Sequence, residues 1–150
     1  MKRTIASLLL LGSLISPVLA HDGGHGPKLT DEGQQGGVVS PVIDKKEASK
    51  GAGATVVYKA ELVRSEDGLV SVYLYDQAMR PLDASKLNKE AKGAVETFTK
   101  GKAATVPFNL SLTDGAFVGT APKPARKPFN IDVTFTEGDR RLLAAFDNLD

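Results

Sequence analysis

Two histidines, His21 and His25, stand four residues apart in His21-Asp22-Gly23-Gly24-His25, and they are the only imidazoles in the 150 residues. They follow directly on a segment that reads as an export leader. With cleavage after Ala20, His21 becomes the first residue of the mature chain, and its α-amine and one ring nitrogen can chelate the same ion. The α-amine titrates at about 7.7 to 8.0, so giving up its proton to a metal near neutrality costs little. Asp22 adds a carboxylate, Gly23-Gly24 permit a tight turn, and His25 completes a set of three or four ligands suited to Cu(II). Zn(II) would accept a similar set in tetrahedral geometry and comes second. The same residues also have a plain reading, in which two histidines in a glycine-rich tail bind nothing.

The leader rests on residues 1–20. Met1-Lys2-Arg3 is basic, residues 5–15 are mostly apolar, and Pro17-Val18-Leu19-Ala20 supplies the helix-breaking, small-residue end that a signal peptidase accepts. Its apolar run is interrupted by Gly12 and Ser13 and is shorter than the ~20 residues a membrane helix needs. No later stretch is apolar enough to serve as an integral membrane segment. With no cysteine in the chain, neither a lipid anchor at the cleavage point nor a disulfide is available. The expectation is a protein released to the bacterial periplasm, or secreted, and stabilised by a packed core. Two of the 19 basic residues fall in the leader, leaving 17 against 18 acidic ones. That balance leaves no nucleic-acid footprint, and the small basic clusters at residues 123–127 and at Arg140-Arg141 read as solvated surface.

Other chemistry finds little support. Nucleophilic catalysis by Ser or Cys needs a base positioned by packing, and the only imidazoles lie in a polar tail. Asp76, Asp83 and Asp132 could form a carboxylate pair, but Asp76 and Asp83 have the spacing of an Asx turn and a helix cap. The pairs Gly23-Gly24 and Gly36-Gly37 and the run Gly51-Ala52-Gly53 neither follow a parallel strand nor open a helix, so they match no phosphate cradle. The reading is therefore non-enzymatic. Tyr73 and Tyr75 are the best candidates for a contact surface toward a periplasmic protein partner, with covering of a second sheet as the alternative.

The elements that must position these residues begin after a polar stretch. Residues 21–37 carry Leu29 as their one large apolar side chain, which predicts a flexible arm. A β domain is expected over residues 38–150. Val38-Val39 and Val42-Ile43 around Pro41 suggest an edge strand, and residues 44–53 a loop or a helical turn capped by Asp44. Residues 55–64 and 69–75 form a hairpin in which Val56, Tyr58, Ala60 and Leu62 point inward while Lys59 and Glu61 face solvent. Val70, Val72 and Leu74 oppose Ser71, Tyr73 and Tyr75 in the same way. Asp83 caps a short helix, and residues 95–99 are a short strand. Val106, Phe108, Leu110 and Leu112 alternate with polar residues up to the hairpin turn Asp114-Gly115. Phe129, Ile131, Val133 and Phe135 alternate again before Gly138-Asp139 turns into residues 140–146. Seven to nine short strands at regular spacing predict an antiparallel, immunoglobulin-like β-sandwich.

Leader, histidine at the mature start and all-β chain together resemble CopC-like periplasmic copper-resistance proteins, over the whole mature chain at the level of pattern. The resemblance implies a role in metal handling or resistance, with Cu(II) held by the amine and ring of His21. The family places its second histidine within the folded domain, whereas His25 here shares the arm. Members with a Cu(I) site use a methionine-rich segment, and this chain has only Met79 after the leader. A histidine at the mature start is also the mark of copper-dependent oxidative polysaccharide enzymes. These need a core histidine and a broad aromatic face, which the chain lacks. A reading without metal is equally formulated: a periplasmic accessory or interaction domain whose histidines are incidental.

Overall fold

The computed structural model describes residues 26–150. Eight strands follow in order: β1 (Val38–Asp44), β2 (Val56–Arg64), β3 (Leu69–Tyr75), β4 (Glu90–Thr99), β5 (Lys102–Thr113), β6 (Ala116–Thr120), β7 (Phe129–Glu137) and β8 (Arg140–Leu149). Every neighbouring pair is antiparallel. The strand order β1-β2-β3-β6-β5-β4-β7-β8 closes on itself as a barrel.

The all-β, antiparallel expectation holds, and eight strands fall within the seven to nine expected. The sandwich is corrected to a closed barrel. Alternation along a strand says which residues face a core, and it is silent on whether the two outer strands meet. Here they do. Val42, Ile43 and Asp44 of β1 pair with Ala144, Leu143 and Leu142 of β8. A register irregularity between Val42 and Ile43 falls at this seam, where a bulge adds local twist, and a second, between Phe129 and Ile131, lies where β7 meets the end of β8. Pro41 is consequently not in a free edge strand. It pairs opposite Lys59 on β2, and the ladder to β8 begins only at the residue after it, so its missing N–H breaks no ladder bond on that side.

Side chains fill the interior. Leu62, Val72, Leu110, Phe117, Ile131, Phe135, Leu142 and Phe146 are buried in one cluster, and the Phe117 and Phe135 rings meet edge to face with centroids 5.0 Å apart. Gly93 faces the Phe108 ring so closely that a Cβ there would overlap it. A smaller cluster of Ile43, Ala54 and Leu143 sits under a 3₁₀ segment, Lys45–Gly53. Asp44 caps that segment by accepting the Lys46 N–H at 3.0 Å, and Asp83 caps a second turn, Ala84–Lys86, through the Ser85 N–H at 2.9 Å. Asp114 and Gly115 both take positive φ (50° and 84°) in the β5–β6 turn, as the Asp-Gly signal implies.

Two strands differ from expectation. β4 is ten residues long and takes in Ala91, Gly93 and Ala94, whose weak β propensity hid a strand that is held by β5 and β7 on its two sides. β5 is twelve residues long and outruns its neighbour β6, which pairs only with residues 111–113. Val106, on the inward-facing series, is therefore exposed.

Candidate functional site

β2 sets the geometry. Its inward series carries Ala60 and Leu62 into the core, so Lys59 and Glu61 must lie on the outer wall. Both are nevertheless buried, Lys59 at 8% exposure and Glu61 at 0%. Residues 26–37 cover them. A side chain at Gly26 would meet Pro41 and Ile43 of β1, Asp31 pairs with the Lys59 ammonium at 2.7 Å, and residues 34–37 converge on Glu61 before the chain turns into β1.

The Glu61 carboxylate is fully committed. Its Oε2 accepts the Gln34 N–H at 2.8 Å and the Tyr75 hydroxyl at 2.8 Å. Oε1 accepts the N–H groups of Gln35 at 2.7 Å and Gly37 at 2.8 Å. Burial pushes this carboxyl up, but the Gly37 N–H, the Tyr75 hydroxyl and the N–H groups of Gln35 and Gln34 outweigh burial and hold it below the usual carboxylate range. Burial, and then donation to Glu61, push the Tyr75 phenol up to about 12. With four donors on two oxygens, Glu61 has little capacity left to take a proton from a substrate; the arrangement is an anchor for the covering strap. The Gln34 side-chain amide adds a bond to the Met79 carbonyl at 2.5 Å, tying the strap to the β3–β4 connection.

Glycines make the approach feasible. A Cβ at Gly33 would collide with the Glu61 carboxylate, and one at Gly37 with the Leu62 carbonyl, while Gly36 takes φ +76° at the turn into β1. The composition that predicts flexibility is here what lets backbone amides close on a buried charge. Residues 26–37, expected to belong to a flexible arm, are thus hydrogen-bonded to the barrel wall over their second half.

The other residues singled out from sequence fall as follows. His21, Asp22 and His25 lie outside the described residues. Among the described residues no group of three or more His, Cys, Asp or Glu side chains could hold a metal ion. Tyr75, expected on an exposed face, is buried at 2% exposure as the partner of Glu61, and Tyr73 is half-buried; the pair does not form an exposed aromatic surface. Asp76 accepts from the N–H groups of Ala78 and Arg80 at 2.8 and 3.0 Å and from the Arg80 guanidinium at 2.7 Å, the geometry of a turn former. No helix among the described residues is long and apolar enough to cross a membrane. Glu61 was legible only as an outward-facing strand residue. The available signal was Tyr73-x-Tyr75 on the same outer series, paired across the ladder with Glu61 and Lys59.

Comparison with protein-family models, with curated proteins and with solved structures finds no match to this chain.

Proposed function

We propose that this is an exported, non-enzymatic β-barrel protein of the periplasm, or secreted, whose mature N-terminus binds a divalent metal in metal handling or resistance. His21 supplies amine and imidazole, Asp22 a carboxylate and His25 a second imidazole. Cu(II) is the expected ion and Zn(II) the second choice. The observation that carries the reading is the strap. From Asp31 onward the chain is bound to the barrel through Lys59 and Glu61, which shortens the stretch between the proposed ligands and the barrel wall. Such attachment lowers the ordering cost of gathering ligands from one short stretch. The pattern-level resemblance to CopC-like proteins points the same way through His21, although the closed barrel departs from their sandwich.

The test is a calorimetric Cu(II) titration of the mature protein, its first residue confirmed by mass spectrometry, beside a variant with one alanine added before His21. One-to-one binding that is lost on extension assigns the site to the free N-terminal histidine. Equal or negligible binding in both forms turns the reading toward an accessory domain. The exposed, half-paired β5 favours that second reading, since residues 104–107 offer strand edge that β6 leaves unpaired.

A further inference from the structure

The β4–β5 hairpin outruns its neighbours. β4 pairs with β7 only over residues 92–96 and β5 with β6 only over residues 111–113, and residues 102–107 of β5 are exposed on both faces. The tip turn fixes where their backbone groups point. Lys100 and Gly101 both take positive φ (49° and 77°) between Thr99 and Lys102, which stand opposite each other in the ladder. In a two-residue hairpin of this kind the flanking pair exchanges hydrogen bonds, so Lys102, Ala104 and Val106 turn their backbone groups toward β4. Leu112 keeps to the same alternation, its N–H donating to the Lys89 carbonyl on the β4 side at 2.7 Å. Ala103, Thr105 and Pro107 therefore direct their backbone groups away from β4, to an edge that no strand among the described residues occupies.

Lysine and proline are the residues that commonly blunt such an edge. Here Lys102 and Pro107 bracket it, and between them Ala103, Ala104 and Thr105 carry neither a charge nor a missing donor. The edge is complementary to itself. A two-fold axis at Ala104 sets Ala103 opposite the partner's Thr105 and Thr105 opposite the partner's Ala103, each pair exchanging N–H···O=C bonds in both directions. Ala104 then meets the partner's Ala104 in the closer, non-hydrogen-bonded type of pair, where a methyl group fits. Lys102 lies opposite the partner's Val106, so no like charges are opposed, and the lysine stem covers a valine that is 49% exposed. Pro107 falls opposite the partner's Gly101, in the turn and beyond the ladder. Sliding the pairing so that Pro107 met the partner's Ala103 would put the proline ring, which has no N–H, against that carbonyl. Proline thereby selects the register, and one and the same strand supplies both halves of the match, as an isologous contact requires.

We propose that two copies of this chain associate through β5 in an antiparallel, two-fold pairing centred on Ala104, which joins the two β4–β5 hairpins into one continuous sheet. The contact is small, so association in the micromolar to millimolar range is expected. It uses neither the N-terminal histidines nor a metal.

Sedimentation equilibrium of the purified protein from about 10 μM to about 1 mM tests the pairing, with EDTA present so that no metal bridges two N-termini. A monomer–dimer equilibrium is expected. Ala104→Glu and Ala104→Lys each set a charge against its own copy at the axis and should weaken the dimer at least about tenfold, whereas an equal mixture of the two variants should recover it as a heterodimer. Both substitutions fall on an exposed side chain and should leave the melting temperature unchanged. Thr105→Pro removes an outward donor and no bond to β4, and should abolish the dimer. Dimerisation that is indifferent to these substitutions, or charge variants that do not recover on mixing, would overturn the proposal. So would a protein that stays monomeric up to about 1 mM, which would leave the edge to a strand from another protein.

Discussion

The outer wall at β1–β3 is covered, whereas the first half of β5 is bare on both faces, although the two are built from the same alternating pattern. On β2 the outward residues Lys59 and Glu61 are buried beneath residues 26–37 and bonded to them. On β5 all six residues of 102–107 are exposed, including Val106. Period-two alternation separates the faces of a strand, and the difference between these walls shows that it does not say which face the rest of the chain will cover. Covering the first wall required a charge with its donors in place. A buried carboxylate without them would not persist.

The comparison breaks most severely at Glu61. Glu61→Ala leaves three backbone N–H groups and the Tyr75 hydroxyl without their acceptor, and is expected to lower unfolding free energy by about 3 kcal/mol in urea titrations. The same anchor predicts a pH dependence. Because the folded carboxyl lies below its ordinary value, its stabilisation is complete above the unfolded value of about 4.3 and is lost as pH falls through the lowered folded one. That acid limb should be reduced in Glu61→Gln. On the alkaline side the Tyr75 phenol, pushed up to about 12, contributes below about pH 10 and loses its contribution as pH rises beyond that.

Gly93→Ala probes where the β4–β5 hairpin stops being bare. At Gly93 the hairpin is packed, and a methyl group must displace the Phe108 ring, with an expected loss of about 2 kcal/mol by chemical denaturation. Tyr75→Phe removes a single donor from Glu61 and should cost about 1 kcal/mol. At the exposed end, Val106→Thr is expected to change stability by less than about 0.5 kcal/mol; a loss comparable to that of Gly93→Ala would mean that this end is covered in solution.

Much of the barrel was legible locally. The Asp-Gly turn between β5 and β6, the caps at Asp44 and Asp83, Ala60 and Leu62 of β2 and the inward series of β3 and β7 follow from turn chemistry and alternation and appear where those rules put them, whereas at the start of β2, beside the bulge, Val57 packs on the core and Val56 does not. What escaped depends on partners distant in sequence. Closure rests on three residue pairs between β1 and β8, about 100 positions apart. The first half of β4 is a strand by virtue of its neighbours and against the propensity of Ala91, Gly93 and Ala94. The strap was misread for a sharper reason. Low hydrophobicity predicts disorder when apolar burial is the only stabilising term considered, whereas residues 33–37 are held by charge-assisted hydrogen bonds that need glycine at Gly33 and Gly37 for close approach. The metal ligands expected at His21, Asp22 and His25 came from residue chemistry alone, and their proposal now leans on that strap.

Amide hydrogen exchange at Gln34, Gln35 and Gly37, measured by NMR in the native protein and in Glu61→Gln, tests the account at its centre. Protection of these three amides that persists on the timescale of the β2 amides, and drops selectively in the variant while the barrel stays protected, is the predicted result. Rapid exchange at all three positions in the unaltered protein would contradict it, since the strap would then be the free arm that its composition suggests.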